Sequence, residues 1–122
     1  ALDEGTTVLC ERYVLSSLAY QGYARGQNLE DILSINNFAT GRIKPDIVFV
    51  FRSRGETLNR KDESSYDRLE REPDEFHKKV RDYYNNLEKE DNYYFIDVSK
   101  SIEEVFCDCM KVLKERMILW NL

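Results

Sequence analysis

The stretch Asp46-Ile47-Val48-Phe49-Val50-Phe51 decides the fold, because after its first residue it is an unbroken run of β-prone apolar side chains. A strand that shows no polar alternation is typical of a parallel sheet that is covered on both faces, and it argues against an exposed hairpin. Lys44-Pro45 ends the connection before it. The run therefore predicts a buried strand in a parallel sheet.

Two further strands and four helices are predicted around this run. Thr6-Thr7-Val8-Leu9-Cys10 reads as a short buried strand after Gly5, and Tyr93-Tyr94-Phe95-Ile96 reads as a third strand closed by Asp97. The predicted helices cover residues 15–23, residues 29–39 after an Asn28 cap, a long amphipathic segment from Pro73, and a final segment that follows Ser99 or Ser101 and continues to Trp120. This alternation is typical of a doubly wound α/β layer, in which ligands bind beyond the carboxyl ends of the strands.

Composition narrows the class of protein. The chain has 122 residues and a formal charge of −5, which suits one soluble domain spanning residues 1–122. No run approaches the ~20 apolar residues of a membrane-spanning helix, and the acidic balance disfavours nucleic acid as a partner. Three cysteines and one histidine lack zinc-ligand spacing, and no signal peptide is visible. We expect free thiols and a cytoplasmic location.

Charged side chains dominate the segment from 52 to 72, which carries little apolar material beyond Leu58, Tyr66 and Leu69. This composition predicts a mobile surface segment.

Polar side chains are dense directly after the first predicted strand. Arg12 offers a planar fork for two phosphate oxygens, and Glu11 offers a carboxylate that could order a magnesium-bound water. The structural alternative is that Arg12 is an ion-pair partner of Glu11 or Asp46.

The helix that follows adds groups suited to a flat ring. Ser17 and Gln21 are four residues apart and share a helical face, while Tyr13 and Tyr20 lie about two turns apart and could flank a planar ring. The structural alternative for the two tyrosines is a core position. A heterocycle with amide edges and a phosphate would satisfy the whole group.

The block from Glu11 to Gly22, with Glu-Arg-Tyr followed by serines and Ala-Tyr-Gln-Gly, resembles the thymidylate kinase family. Further blocks resemble the family in the same order along the chain: Lys44 to Phe49, Asp67 to Glu70, Phe76 to Tyr84, and Ile96 to Val105. The resemblance covers nearly the whole chain.

This resemblance implies transfer of the γ-phosphate of ATP to dTMP, with Mg²⁺, on a P-loop NTPase-type parallel sheet flanked by helices. It also implies a homodimer. Arg12 would bind the dTMP phosphate, and Glu11 would take the place of an aspartate near the metal and the sugar. Ser17 and Gln21 would read the thymine edge, and Tyr20 would pack beside the sugar and base.

The resemblance also implies residues for ATP. Arg60 and Arg68, in a lid at about 53–72, would approach the ATP phosphates as catalytic groups. The turn from Asp97 to Ser101, which includes Ser99 and Lys100, would border the adenine.

The sequence departs from the family pattern in two ways. Glu11 replaces the aspartate, and no G-x-x-x-x-G-K-[ST] loop occurs. Only three of the family's five strands are expected, with the central P-loop strand absent, so the strands at 7–10 and 46–51 would border an empty slot. We therefore expect a fragment, or one piece of an assembly in which an N-terminal segment is supplied in trans.

Two alternatives stay open. A non-catalytic nucleotide-binding or interaction protein could retain the acceptor pocket without the phosphate loop. A deoxynucleoside kinase also carries Glu-Arg after the strand, although the Ala19-Tyr20-Gln21-Gly22 continuation favours a monophosphate kinase.

Overall fold

The computed structural model describes residues 1–53 and 73–116, and these belong to two compact units, Ala1–Ile43 and Lys44–Leu122. The labelled elements are α1 (Val14–Ser17), α2 (Leu29–Ala39), β1 (Val48–Arg52), α3 (Asp74–Asn85), β2 (Tyr93–Asp97) and α4 (Ile102–Arg116). The predicted lid, with Arg60 and Arg68, lies outside the described residues except for Ser53, and Trp120 also lies outside them. None of the helices in the described ranges is long and apolar enough to cross a membrane.

The first unit confirms the predicted helix near residues 15–23, but its second half has a wider turn. α1 is followed by a π-helical turn at Leu18–Tyr23. The wider turn shows in a bond that spans five residues, from Ala24 N–H to the Ala19 carbonyl at 3.0 Å.

The π-helical turn packs against α2 through small residues. Ala19, Gly22 and Ala24 are buried. A Cβ at Gly22 would collide with the Leu29 side chain and would come within 3.9 Å of Ile32. The missing Cβ at Gly22 therefore leaves room for the tip of the Leu29 side chain. As predicted, Asn28 caps α2, and its side-chain oxygen accepts hydrogen bonds from the backbone N–H groups of residues 30 and 31 at 2.8 and 3.2 Å.

The predicted strand at Thr6–Cys10 is wrong for this structure. These residues form no strand, and Val8 and Leu9 are 52% and 95% exposed. A strand requires a neighbouring backbone to pair with, and in the described ranges 1–53 and 73–116 the sheet pairs β1 with β2 alone. The described chain thus has two strands rather than the predicted three.

The second unit confirms the two other predicted strands. β1 and β2 run parallel, with Val50 opposite Phe95 and Arg52 opposite Asp97. Val50 is 2% exposed, but Phe51 is 54% exposed. The expectation that β1 is covered on both faces therefore holds at Val50 and fails at Phe51, where the described part of the chain leaves the ring open.

The helices α3 and α4 lie on opposite faces of this sheet. The Arg52 guanidinium lies 3.7 Å from the Phe95 ring centroid and donates to the carbonyl of Asn85, the last residue of α3, at 3.4 Å. Arg116, the last residue of α4, lies 5.9 Å from the Tyr94 ring centroid. Because consecutive strand residues point to opposite faces, the unit is a helix-sheet-helix layer, as the alternation of elements predicted.

Apolar side chains from α3 and from both strands form the core of this unit. Phe76 and Val80 of α3 are buried, as are Val50 and Ile96. Pro73 is the residue before α3 rather than its first residue, a shift of one position from the prediction. The three cysteines are free thiols, as expected.

Candidate functional site

Arg12 lies in a bend two residues before the start of α1, and its side chain is exposed. Its Nη1 donates a hydrogen bond to Ser16 Oγ at 3.1 Å, and its guanidinium carbon lies 5.5 Å from the centroid of the Tyr20 ring. That distance is within the range of a cation–π contact. The three side chains, at four-residue intervals, form a cluster on one side of the first helical segment, which we call the Arg12 cluster.

Hydrogen bonds also fix the backbone around the Arg12 cluster. Cys10 Sγ lies 2.9 Å from the Arg12 carbonyl and donates to it, while the Ser16 N–H donates to the Tyr13 carbonyl at 3.0 Å. The Tyr13 hydroxyl donates to the Ile43 carbonyl at 2.9 Å, which ties the start of α1 to the end of the first unit. The structure thus gives Tyr13 an anchoring contact, whereas Tyr20 contacts Arg12.

Ser17 and Gln21, the predicted base-reading pair, lie at the end of α1 and within the π-helical turn. Ser17 is half-buried and Gln21 is exposed. Because the turn after Ser17 is π-helical, the simple α-helical spacing used to pair these residues does not apply unchanged. Their role as a pair stays a prediction.

Ser16 is the residue that sequence reasoning missed. The signal was present, because Arg12 and Ser16 are separated by four residues at the start of a helix, a spacing at which side chains meet. Ser17 was selected instead because it lies four residues before Gln21, on the same predicted helical face.

Glu11 is exposed and lies beside Arg12 in the bend. Within residues 1–53 and 73–116, no group of three or more histidine, cysteine or carboxylate side chains could hold a metal ion. Mg²⁺ is commonly held by one or two carboxylates together with substrate phosphates and water. A single exposed carboxylate next to an exposed arginine is compatible with that mode, and the assignment of Glu11 to the metal stays a prediction.

The predicted ATP-side turn in the second unit is internally bonded. Asp97 Oδ1 accepts hydrogen bonds from the Ser99 N–H at 2.9 Å and from Ser99 Oγ at 2.7 Å. Lys100 Nζ donates to Asp108 Oδ2 at 2.9 Å, and this hydrogen bond raises the pKa of Lys100. Both predicted adenine-side residues therefore help to shape the turn, and their role toward ATP stays a prediction.

A reciprocal cap connects this turn to α4. The Ser101 N–H donates to Glu104 Oε2 at 3.0 Å, and the Glu104 N–H donates to Ser101 Oγ at 3.2 Å. The hydrogen bonds from Ser101 lower the pKa of Glu104. Of the two serines considered from sequence, Ser101 is the one that caps the helix.

These features define an α/β chain in which parallel strands alternate with helices and an exposed arginine precedes the first helix. A sequence model of the family described as thymidylate kinase matches residues 1–108. The chain belongs to the thymidylate kinase family.

Several curated relatives carry the same name. A thymidylate kinase of Finegoldia magna is 43% identical over 122 residues, which cover 98% of this chain and 60% of the relative. One of Bacillus velezensis is 40% identical, covering 96% of this chain and 58% of the relative, and one of Halalkalibacterium halodurans is 38% identical, covering 98% and 60%. The chain thus spans about three-fifths of the length of these relatives.

Proposed function

We propose that this chain carries the dTMP-binding part of a thymidylate kinase, which transfers the γ-phosphate of ATP to the 5′-phosphate of dTMP and yields dTDP and ADP. The observation that carries the proposal is the Arg12 cluster, in which an exposed guanidinium is oriented by Ser16 and by the Tyr20 ring. Guanidinium groups bind phosphate oxygens through paired, charge-assisted hydrogen bonds. Membership of the thymidylate kinase family supports the choice of dTMP as the nucleotide and of phosphate transfer as the reaction.

Five predicted site residues of the first unit have a proposed role toward dTMP. Arg12 binds the phosphate, and Ser17 and Gln21 hydrogen-bond the thymine edge. Tyr13 and Tyr20 flank the nucleoside, Tyr13 from a position fixed by its bond to the Ile43 carbonyl. Bringing these groups together on one helical segment would orient the acceptor phosphate for attack.

Other residues are assigned to ATP and its metal. Glu11 would help to hold Mg²⁺, which, when bound, neutralises phosphate charge during transfer. Arg60 and Arg68 would contact the ATP phosphates, although they lie outside the described residues. Ser99 and Lys100 would border the adenine by presenting the bonded turn that starts at Asp97.

The exposed segment at 6–10 supports a proposal about assembly. Val8 and Leu9 expose apolar side chains, and in the described ranges β1 is paired on one side only, by β2. We propose that a further segment, in cis or supplied in trans, covers these edges, and that the protein acts as a cytoplasmic homodimer. Light scattering coupled to size-exclusion chromatography tests the dimer, and a purely monomeric profile at micromolar concentration contradicts it.

The exposed apolar side chains also favour the second candidate, a non-catalytic nucleotide-binding or interaction protein. Leu9 is 95% exposed and Phe38 is 90% exposed, and large exposed apolar groups mark interaction surfaces. This candidate binds dTMP or a partner but transfers no phosphate. The other alternative, a deoxynucleoside kinase, binds thymidine in preference to dTMP.

Calorimetry with the purified chain separates these possibilities. The proposed function predicts saturable binding of dTMP and weaker binding of thymidine, because Arg12 contributes only to the phosphorylated ligand. An ADP-release assay with ATP, Mg²⁺ and dTMP then distinguishes an enzyme from a binding protein. Absence of dTMP binding, both for the chain alone and for the chain supplied with the remaining segment of a relative, refutes the proposal.

A further inference from the structure

We infer that Ser16 is a positioning residue, which acts through Arg12 to set the guanidinium for the nucleotide 5′-phosphate. This inference rests on the proposed function, since it names the residue that prepares the phosphate site. It starts from the 3.1 Å hydrogen bond from Arg12 Nη1 to Ser16 Oγ. It assigns a role to a serine that the predicted contacts with dTMP did not include.

The Arg12 side chain needs such support because it is long and exposed. A freely rotating arginine side chain loses rotamer entropy when it becomes ordered. If the ordering is already present before the ligand binds, less of the binding free energy is spent on it.

The guanidinium contacts a hydroxyl and an aromatic ring of the first unit. The Ser16 hydroxyl holds one edge of the planar group, while the Tyr20 ring centroid lies 5.5 Å from its central carbon. Ser16 is itself half-buried, and its N–H is bonded to the Tyr13 carbonyl at 3.0 Å. The hydroxyl is therefore presented from a fixed backbone.

Ser17 provides a matched comparison. It is the next residue of α1, has the same side chain and is also half-buried, but the Arg12 bond goes to Ser16. Replacing either serine with alanine removes the same hydroxyl from the same short helix. The Ser16 variant removes the hydrogen bond from Arg12 Nη1 that the structure shows.

A residue that acts through Arg12 has a distinctive effect on ligand preference. Loss of Ser16 should weaken dTMP and spare thymidine, because thymidine lacks the phosphate. A serine that reads the base, as proposed for Ser17, should weaken both ligands by the same factor. A purely structural role would likewise affect both ligands equally.

The test measures the dissociation constants of dTMP and thymidine for the wild-type chain and for the variants Ser16→Ala, Ser16→Thr and Ser17→Ala. We expect the preference for dTMP over thymidine to fall about fivefold in Ser16→Ala, the scale of one hydrogen bond, and to be retained in Ser16→Thr and Ser17→Ala. An unchanged preference in Ser16→Ala overturns the inference.

Nitrogen-15 NMR of the arginine side chains gives a readout that does not need a ligand. The Arg12 Nη signals of the wild-type chain should show slow rotation about the Cζ–N bonds, which should persist in Ser17→Ala and be lost in Ser16→Ala. Freely rotating Arg12 signals in the wild-type chain overturn the inference even if Ser16→Ala does not fold. If the chain binds no dTMP but Arg12 is ordered by Ser16, the proposed function fails while the positioning contact stands.

Discussion

Replacing Arg12 with alanine should weaken dTMP binding without unfolding the first unit. Hydrogen bonds to charged groups are worth about 1.5–3 kcal/mol, and the Arg12 side chain is exposed, so solvent screening places the loss at the lower end. A loss of about 1.5–2 kcal/mol corresponds to a rise of about 10- to 30-fold in the dissociation constant. Ser17→Ala should cost less, because it removes one neutral hydrogen bond.

Arg12→Lys separates charge from geometry. Lysine keeps the positive charge but lacks the planar fork, so it cannot bond Ser16 and present a second parallel donor to the phosphate in the same way. We expect an intermediate effect, a rise of about three- to tenfold in the dissociation constant.

The assay is isothermal calorimetry with dTMP at two salt concentrations, since added salt should weaken the wild-type interaction and have less effect on Arg12→Ala. The matched control is Arg25→Ala, which removes another exposed arginine from the same unit. If Arg12→Ala stays within twofold of the wild type, or if Arg25→Ala weakens binding equally, the assignment of Arg12 to the phosphate is refuted.

Three further changes test packing and capping. Gly22→Leu should lower the free energy of unfolding, measured by urea titration, by about 1–3 kcal/mol, because the new side chain displaces Leu29. Gly22→Ala should change the free energy of unfolding by under ~1 kcal/mol, because the tip of the Leu29 side chain can move. Phe76→Ala should cost about 3–5 kcal/mol, because the ring is only 8% exposed, and a loss under ~1 kcal/mol would show that α3 does not anchor the core. The Ser101 cap lowers the pKa of Glu104, so its stabilisation is present above the ordinary pKa of 4.5 and is lost as the pH falls through the lower folded-state pKa. Glu104→Gln should therefore show a shallower fall in melting temperature between pH 5 and pH 3 than the wild type, and identical pH profiles would contradict the cap.

The elements predicted best are those whose pattern contains its own boundary signals. α2 begins directly after Asn28, whose side chain caps it, and α4 begins after Ser101, which forms a capping box with Glu104. Here the local sequence contains both partners of the capping hydrogen bonds, so the boundary can be read without tertiary information.

Elements that depend on distant partners were predicted less well. The β-prone run at 6–10 has strand propensity, but a strand also requires a paired backbone, and in the described chain the sheet pairs β1 with β2 alone. The π-helical turn was missed because the spacing of apolar residues at 15–23 predicts a helix but does not distinguish an α-helical from a π-helical turn. Phe51 is exposed for a similar reason. The apolar run at 46–51 predicts a buried strand, but it does not indicate which other elements cover each face of the sheet.

In the candidate site, the types of residue could be predicted from the sequence, but their contacts could not all be predicted. The residue types after the bend at Glu11-Arg12 indicated a phosphate and a flat ring, and the structure brings Arg12 and Tyr20 together. The choice of Ser16 over Ser17 depends on the rotamer of Arg12, which no sequence pattern specifies.

A crystal structure of the chain with dTMP tests the central claim most directly. We predict that at least one phosphate oxygen lies within hydrogen-bond distance, about 2.7–3.2 Å, of the Arg12 guanidinium, while the bond from Arg12 to Ser16 is kept. A nucleotide bound with its phosphate directed away from Arg12 would contradict the claim.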